Sequence, residues 1–345
     1  MNGHPAMLYG MLEFLKFQTE TKSMMREPII ILFGQNSELG YSPMKTKLGI
    51  APIAWWNDDL EELSDDVSLE ECLWQASLAG FTGMETGRRF PMDAKVLSPT
   101  LAKYKMSICG GWFSGLLLDG SIEVEKERIT AQMNFFKASN APCIVYGETA
   151  RSVQGERDAP LNRKPKLSND EMKSYARKMT EFAEWCKDEG MPISYHHHMA
   201  AVIETEQELD VFMNQSGDAL TLLYDTGHMA FSGGDVLRVI DNHHKRISHV
   251  HTKDVRQEVI DGLDRSKESF LDAVIKGAFT VPGDGDLDFQ SIVNRLASYN
   301  YEGWFVVEAE QNPIVSPPLQ MAQLGYKALR DVVISCGYEV ENFPQ

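Results

Sequence analysis

Four short segments in the second half of the chain combine histidine and carboxylate side chains in a pattern typical of metal ligands. The segments are Tyr195–Met199, Tyr224–His228, His249–Asp254 and Val306–Glu310. Each follows a short apolar run and precedes a stretch with the composition of a loop or helix. Imidazole and carboxylate groups at the ends of successive strands can converge on one divalent ion. The pattern therefore predicts a metal centre.

Strand geometry narrows the choice of ligands. Alternate side chains of a strand share a face, so His196 and His198 are expected to point one way and His197 the other. The other three predicted ligands end later strands: Asp225, His251 and Glu308. Either His196 or His198 can complete the set. Mixed nitrogen and oxygen ligands with open positions suit Mn²⁺, Co²⁺ or Zn²⁺ better than Mg²⁺, and we predict Mn²⁺ or Co²⁺.

Residues after the first two predicted strands are candidates for substrate binding. Trp55 and Trp56, followed by Asn57, can form a wall on which a sugar ring stacks, although aromatic residues at this position equally fit a core. Glu85 ends the second predicted strand and can bind a hydroxyl group. Its alternative is an ion pair with a nearby arginine.

Two further polar residues belong to the later segments. His228 lies one turn after Asp225 and can donate to a substrate oxygen, or instead bond to backbone as the first turn of a helix. Lys253 follows His251 by two residues, so it shares the inward direction and can stabilise developing negative charge. Its alternative is a salt bridge to Asp225 or Asp254.

The elements that position these residues alternate eight times between strand and helix. The predicted strands are Leu48–Ala54, Gly83–Glu85, Met106–Gly110, Cys143–Tyr146, Pro192–His196, Thr221–Asp225, Ile247–His251 and Trp304–Glu308. They are short and apolar, as strands buried on both faces should be. Eight such units predict an α/β fold of the (β/α)₈ TIM barrel type, whose active sites lie at the C-terminal ends of the strands. No GxGxxG motif follows the first strand, which argues against a dinucleotide-binding fold.

Helix starts and long loops support that assignment. Capping patterns at Ser68 and Ser168 predict helices that end at Gly80 and Gly190. The stretches Gly147–Leu167 and Lys253–Asp286 are long and polar and follow the fourth and seventh strands, so we expect them to rise over the active-site face. Residues 45–340 are predicted to form a single barrel domain. Residues 1–44 lack the later alternation and are predicted to be a poorly structured N-terminal extension.

Composition excludes several classes of partner. The chain has 33 basic and 50 acidic residues, a net charge of −17, which repels nucleic acid and anionic membranes. No apolar run is long enough to cross a bilayer, and the N-terminus lacks the features of a signal peptide. Five scattered cysteines without a CxxC pair indicate buried thiols in a reducing compartment. We therefore expect a cytoplasmic enzyme that acts on a small-molecule substrate and can form a homo-oligomer.

Together these motifs resemble a known family. The resembling segments are Gly49–Asp59, Tyr146–Glu148 with Gln154–Gly155, Tyr195–Met199, Leu223–Met229, His249–Val255, Thr280–Gly285 and Val307–Asn312. The chain resembles the xylose isomerase-like superfamily of divalent-metal TIM barrels, and within it the dehydratases of keto-inositols in inositol catabolism. The resemblance runs from about residue 45 to about residue 320.

The resemblance implies ligands, substrate and reaction. Metal ligands of the superfamily are glutamate, aspartate, histidine and glutamate, which match His196 (in place of the first glutamate), Asp225, His251 and Glu308. The implied substrate is a cyclic polyol ketone, 2-keto-myo-inositol, which loses water to give a diketone. Glutathione is a cofactor implied by the resemblance alone.

The implied mechanism divides proton transfer between opposite sides of the metal-stabilised enediolate. Glu308 is the expected base for the α-proton, and His196, His198 or Lys253 is expected to donate a proton to the departing hydroxyl group. Exchanging one carboxylate for imidazole makes the two sides chemically unequal, which favours elimination over return of a proton. The main alternative is a ketose isomerase or epimerase on the same barrel. A non-catalytic sugar-binding barrel and an endonuclease fit less well, the latter because a basic groove is lacking.

Overall fold

Eight parallel strands form a closed barrel in the computed structural model, which describes residues 42–60, 63 and 67–343. The barrel strands are β1 (Met44–Ile50), β2 (Gly83–Thr86), β3 (Ser107–Gly115), β4 (Ile144–Glu148), β5 (Ile193–His196), β6 (Thr221–Asp225), β7 (Ile247–Thr252) and, after a small hairpin of β8 (Asp254–Val255) and β9 (Phe279–Thr280), β10 (Trp304–Val307). A last strand, β11 (Tyr338–Val340), pairs with the start of β1. The predicted (β/α)₈ barrel is confirmed.

Strand register brings the C-terminal ends together at one rim. In β1, Ile50 pairs with Met84 of β2 on one side and with Val307 of β10 on the other, which closes the barrel. On the far side, Asp225 pairs with His251, and His251 in turn pairs with Val306. The polar residues that follow or end these strands therefore lie on the same face of the barrel.

Helices surround the barrel and connect its strands. They are α1 (Leu69–Ala79), α2 (Ala94–Lys103), α3 (Ile122–Ala138), α4 (Asn169–Asp188), α5 (Glu206–Gln215), α6 (Thr226–Phe231), α7 (Val236–His243), α8 (Gln257–Asp261), α9 (Phe270–Ile275), α10 (Phe289–Ser298) and α11 (Pro318–Ser335). The hydroxyl group of Ser68 caps α1, and Gly80 ends it in the left-handed conformation at φ 115°. Ser168 and Glu171 form a capping box at α4. None of the described helices is long and apolar enough to cross a membrane.

Two strands, β1 and β3, end more than two residues away from their predicted C-terminal ends. Strand β1 ends at Ile50 rather than Ala54, because Pro52 lacks an amide hydrogen and begins a short 3₁₀ turn, Pro52–Ala54. Strand β3 continues past the predicted end at Gly110 to Gly115 and pairs with β4 along that extension. Gly115 permits this approach, since a β-carbon there would lie 2.1 Å from the Tyr146 ring. The extension carries Trp112 to the rim.

The two long segments predicted as loops also differ from one another. Residues 253–286 contain the β8–β9 hairpin and helices α8 and α9, which bury a second apolar cluster around Phe270 and Phe279. The Asp254 carboxylate accepts the amides of Gly283, Gly285 and Leu287 and so fixes the end of this segment. The other segment, 147–167, has only one 3₁₀ turn, Leu161–Arg163. Residues 1–41 of the predicted extension 1–44 lie outside the described residues.

Candidate metal centre

Four buried side chains from successive strands meet at the rim of the barrel. They are His196 at the end of β5, Asp225 at the end of β6, His251 in β7 and Glu308 directly after β10. The Nε2 atom of His196 lies 3.2 Å from Nδ1 of His251 and 3.5 Å from Oδ2 of Asp225. His251 Nδ1 lies 3.4 Å from the same Asp225 oxygen and makes close contact with Oε2 of Glu308. One candidate ligand atom from each residue therefore points to a common centre.

The chemistry of this set fits a divalent ion. Asp225 is completely buried, yet its Oδ2 atom has no hydrogen-bond partner, a costly arrangement unless something else satisfies the oxygen. Ligand atoms that share one ion at about 2.0–2.2 Å lie roughly 3.0–3.6 Å from one another, whether or not further coordination positions stay open. The separations involving Asp225 Oδ2 are 3.4 Å and 3.5 Å. Two imidazoles and two carboxylates of this geometry can hold a metal ion.

The structure brings His196, rather than His198, into the four-residue cluster. His198 turns its Nδ1 atom to the carbonyl oxygen of Met199 at 2.8 Å, and its Nε2 atom lies 3.7 Å from Oε1 of Glu310. Burial lowers the pKa of His198, but the hydrogen bond and charge of Glu310 outweigh it and raise the pKa above its usual value. His197 belongs to none of the candidate ligand groups among the described residues, and its Nε2 atom accepts the amide of Asp225 at 3.3 Å.

Glu85 lies beneath the cluster and orients one of its imidazoles. Its Oε1 atom accepts a hydrogen bond from Nε2 of His251 at 3.0 Å and another from Nε2 of His249 at 2.9 Å. A proton on Nε2 leaves Nδ1 of His251 with a free lone pair directed at Asp225 and Glu308. Burial raises the pKa of Glu85, yet the two histidines lower it below its usual value. The carboxylate therefore remains ionised.

Lys253 is fully buried below the carboxylates. Its Nζ atom lies 3.0 Å from Oε1 of Glu308, 2.9 Å from Oε2 of Glu310 and 3.5 Å from Oδ2 of Asp225. It also donates to Nε2 of His228 at 2.8 Å. Burial lowers the pKa of Lys253, but the three carboxylates raise it above its usual value. The ammonium group is thus a permanent positive charge.

A cavity of about 420 Å³ opens directly above the cluster. Its inner walls include His196, His198, His251, Glu85, Glu308, Glu310, Trp56 and Trp112. Toward the mouth it is lined by Ser114, Thr149, Ser152, Gln154, Glu156, Asp58 and Asp59, together with backbone and small side chains. The mixture of aromatic faces and hydrogen-bonding groups suits a small polyhydroxylated ring.

Three predicted binding residues do not line this cavity. Trp55 is buried and donates its indole N–H to Oε1 of Gln75 at 2.7 Å, which places it in the core beside α1. The Oδ1 atom of Asn57 accepts the amides of Asp59 and Leu60, so this side chain shapes a turn. His228 contacts Nζ of Lys253, and neither residue lines the cavity. Of the predicted tryptophan wall, only Trp56 reaches the cavity.

Two cavity residues were missed by the sequence reasoning. Trp112 lies on the unpredicted extension of β3, and its ring centroid is 5.5 Å from that of His196 and 5.8 Å from that of His198. Glu310 follows Glu308 by two residues, and this spacing was the available signal for it. Both approach the cluster from the cavity side.

The charge of the cavity limits what it can bind. Six carboxylate residues line it, and none of its lining residues in the described part of the chain is lysine or arginine. Such a site repels phosphate groups and carboxylates. The described lining therefore offers no lysine or arginine to pair with the two carboxylates of glutathione and gives no support for this cofactor.

Comparisons with known proteins agree with this geometry. Residues 74–332 match the family model described as xylose isomerase-like TIM barrel. The chain is 41% identical over 295 residues to inosose dehydratase of Geobacillus thermodenitrificans, covering 85% of this chain and 98% of that protein. It is 38% identical over 310 residues to the rhizopine catabolism protein MocC of Rhizobium meliloti, covering 90% and 94%.

A solved structure shares the fold at lower sequence similarity. The IolI protein, crystallised with a bound zinc atom, superposes with a TM-score of 0.63 at 16% identity, covering 84% of this chain and 98% of that one. The family predicted from the sequence is confirmed by the family model and by both relatives. This chain belongs to the xylose isomerase-like TIM barrel family.

Proposed function

We propose that this protein is a metal-dependent hydro-lyase that dehydrates 2-keto-myo-inositol to 3D-(3,5/4)-trihydroxycyclohexane-1,2-dione in inositol catabolism. The observation that carries the proposal is the cluster of His196, Asp225, His251 and Glu308 on the floor of an open, hydroxyl-lined cavity. The substrate is taken from the relatives named inosose dehydratase, which are about 40% identical over most of the chain. Structural metal sites are closed by protein ligands, whereas this one has an open side.

His196, Asp225, His251 and Glu308 would hold the ion, which we propose to be Mn²⁺ or Co²⁺ and which would supply Lewis acidity toward a ketone oxygen and so favour loss of the neighbouring C–H proton. Glu308 is the proposed base for that proton. Burial raises the pKa of Glu308, but His251 and Lys253 lower it to about 2, so the carboxylate is ionised throughout the physiological range.

Proton donation to the departing hydroxyl group is assigned to His198. It lines the cavity, and its raised pKa, due to Glu310, keeps a donor available near neutral pH. His196 belongs to the ligand set, and Lys253 does not line the cavity, so both are less suited to this step than His198. Loss of the α-proton and of hydroxide as water leaves an enol, which relaxes to the diketone.

The remaining cavity residues hold the substrate ring or orient a metal ligand. Trp56 and Trp112 offer apolar faces to the C–H bonds of the ring, and Ser114, Thr149 and Gln154 offer hydrogen bonds to its hydroxyl groups. Glu85, proposed from the sequence as a substrate contact, lines the cavity but acts mainly by orienting His251. The five cysteines are all free, which supports a reducing compartment such as the cytoplasm.

The proposal is tested by following the conjugated enol of the diketone by absorbance. Purified protein is mixed with 2-keto-myo-inositol after EDTA treatment, with and without added Mn²⁺ or Co²⁺. We expect a signal that depends on the added ion. An interconversion of ketoses without loss of water, with metal demonstrably bound, would instead establish the isomerase or epimerase activity.

A further inference from the structure

A second group of potential metal ligands lies beside the first. His198, His228 and Glu310 each offer one ligand atom, and these atoms lie within 4.8 Å of one another. All three residues are buried. The two groups are adjacent, since the ring centroids of His196 and His228 are 5.4 Å apart. The barrel rim therefore carries ligands enough for two ions.

Lys253 lies between the two groups and contacts both. Its Nζ atom is 2.9 Å from Oε2 of Glu310 and 2.8 Å from Nε2 of His228, which belong to the second group. It is 3.0 Å from Oε1 of Glu308, whose other oxygen contacts His251 of the first group. One carboxylate thus bridges the first cluster and the ammonium group. In dinuclear sites, whose ions lie about 3.5–4 Å apart, carboxylates commonly contact both cations in this way.

The path of the lysine side chain is fixed by its surroundings. A β-carbon at position 227 would lie 2.5 Å from Cγ of Lys253, so the lysine stem passes where only Gly227 leaves space. The carbonyl oxygen of Lys253 accepts a hydrogen bond from Oγ1 of Thr226 at 2.6 Å. Its Nζ atom lies 4.9 Å from the centre of the Phe279 ring. The ammonium group is therefore held in place rather than free to move aside for an ion.

Charge explains why a cation is needed at this position. Asp225, Glu308 and Glu310 are three buried carboxylates that surround the position of Lys253 Nζ, and leaving them without a cation there would be costly. Glu310 and His228 are not members of the first cluster. Lys253 supplies one positive charge through N–H donors to the same oxygen and nitrogen atoms that a second divalent ion would use.

We propose that Lys253 occupies the second cation position of a two-cation centre and thereby keeps the enzyme mononuclear. His198, His228 and Glu310, with the Oε1 atom of Glu308 that now contacts Lys253, form a latent site that binds a divalent ion when the lysine charge is removed. The inference rests on the metal centre of the proposed function, and not on the identity of the substrate or on the reaction.

The test counts ions rather than turnover. Protein loaded with excess Mn²⁺ is freed of unbound metal by gel filtration, and the metal content is measured by mass spectrometry, together with the electron paramagnetic resonance spectrum. We expect one Mn²⁺ per chain in the wild type and two in Lys253→Met, with the spectrum of a spin-coupled pair. Lys253→Arg, which keeps the charge, is the matched control and should bind one ion. Adding Glu310→Gln to Lys253→Met should return the count to one.

Each alternative result has a distinct meaning. Two ions in the wild type would overturn the inference whether or not any variant folds. One ion in folded Lys253→Met would also overturn it, and Lys253→Gln serves as the second neutral variant if Lys253→Met does not fold. No ion in the wild type would reject the metal centre itself. One ion without dehydration of 2-keto-myo-inositol would reject only the proposed function.

Discussion

Buried polar residues have opposite surroundings in the two halves of the barrel, the earlier half formed by β1–β4 and the later half by β5, β6, β7 and β10. In the later half, His196 ends β5, Asp225 ends β6, His251 lies in β7 and Glu308 follows β10, and one candidate ligand atom of each faces the other three. In the earlier half, the carboxylates of β2 and β4 are hydrogen-bonded to the protein itself. The comparison indicates that the later strands present candidate metal ligands, whereas the earlier strands use their carboxylates in hydrogen bonds within the protein.

Glu148 shows the difference most clearly. It ends β4 as Asp225 ends β6, and both are buried. The oxygens of Glu148 accept the amides of Leu118 and Ala150 at 3.1 Å and 3.0 Å, whereas Oδ2 of Asp225 has no hydrogen-bond partner. Position on a strand therefore does not distinguish a ligand from a structural carboxylate. The surrounding donors do.

The largest expected effect is in the later half, at the proposed base. Glu308→Gln keeps an oxygen ligand but cannot accept a proton, so kcat should fall at least ~10²-fold while the ion stays bound. Steady-state kinetics and metal analysis on the same sample check both statements. Glu339→Gln, an exposed carboxylate on β11, is the control for loss of one charge. A nearly active Glu308→Gln enzyme would remove Glu308 from the role of base.

Comparing substitutions of His196 and His198 tests which of these two histidines is a metal ligand. His196→Asn removes a ligand and should weaken Mn²⁺ binding by at least about 10–100-fold, the loss that even indirect partners of a metal ligand cause. His198→Asn should leave Mn²⁺ affinity within about twofold while lowering kcat, since His198 lies outside the first cluster. Calorimetric titration with Mn²⁺ measures the affinities. Equal losses of affinity in both variants would contradict the assignment.

In the earlier half, Trp112 should affect substrate binding and leave the metal unaffected. Trp112→Ala removes an apolar wall worth about 1–2 kcal/mol, so KM should rise about tenfold at unchanged Mn²⁺ affinity. The KM of Trp112→Phe should lie between the KM of the wild type and that of Trp112→Ala. Trp74→Ala, a half-exposed tryptophan on α1 outside the cavity, is the matched control. An unchanged KM in Trp112→Ala would mean that the ring does not contact the substrate.

The smallest expected effect is a pH dependence of stability due to Glu148. Burial raises the pKa of this carboxyl group from its ordinary 4.5 to about 7, against the opposing effect of its backbone hydrogen bonds. The folded state therefore favours the protonated form, and its contribution to stability is lost as pH rises from 4.5 through 7. Between pH 6 and pH 7 the free energy of unfolding should fall by about 1 kcal/mol from this group.

Glu148→Gln should remove that dependence, since glutamine does not titrate. Denaturant unfolding of both proteins at pH 6 and pH 7 measures the difference. The same slope with pH in both proteins would show that Glu148 is not the responsible group.

Local patterns in the sequence were sufficient for the fold. All eight barrel strands were predicted, because strands buried on both faces are short apolar runs. The helices that follow Ser68 and Ser168 were located by these capping residues. The errors lie where a local pattern is ambiguous. The end of β1 was overestimated at Pro52, and the end of β3 was underestimated because Gly110 and Gly111 look like a turn.

The candidate ligands were also largely visible in the sequence, since the C-terminal ends of parallel strands meet at one rim. The choice between His196 and His198 was not, because β5 ends at His196 and the alternation of faces applies only within a strand. Beyond that end the backbone turns through Ala200 at φ 61°, and His198 joins Glu310 and His228 instead.

The sequence by itself determined the barrel and the strand ends with candidate ligands, because strand periodicity and helix capping are properties of neighbouring residues, and its motifs indicated the family by resemblance. Only the tertiary structure decided which side chains line the cavity together and which charged groups lie next to one another. Trp112, Glu310 and Lys253 owe their surroundings to strands that are distant in sequence. Burial and electrostatic interactions depend on these distances through space, and no spacing along the chain specifies them.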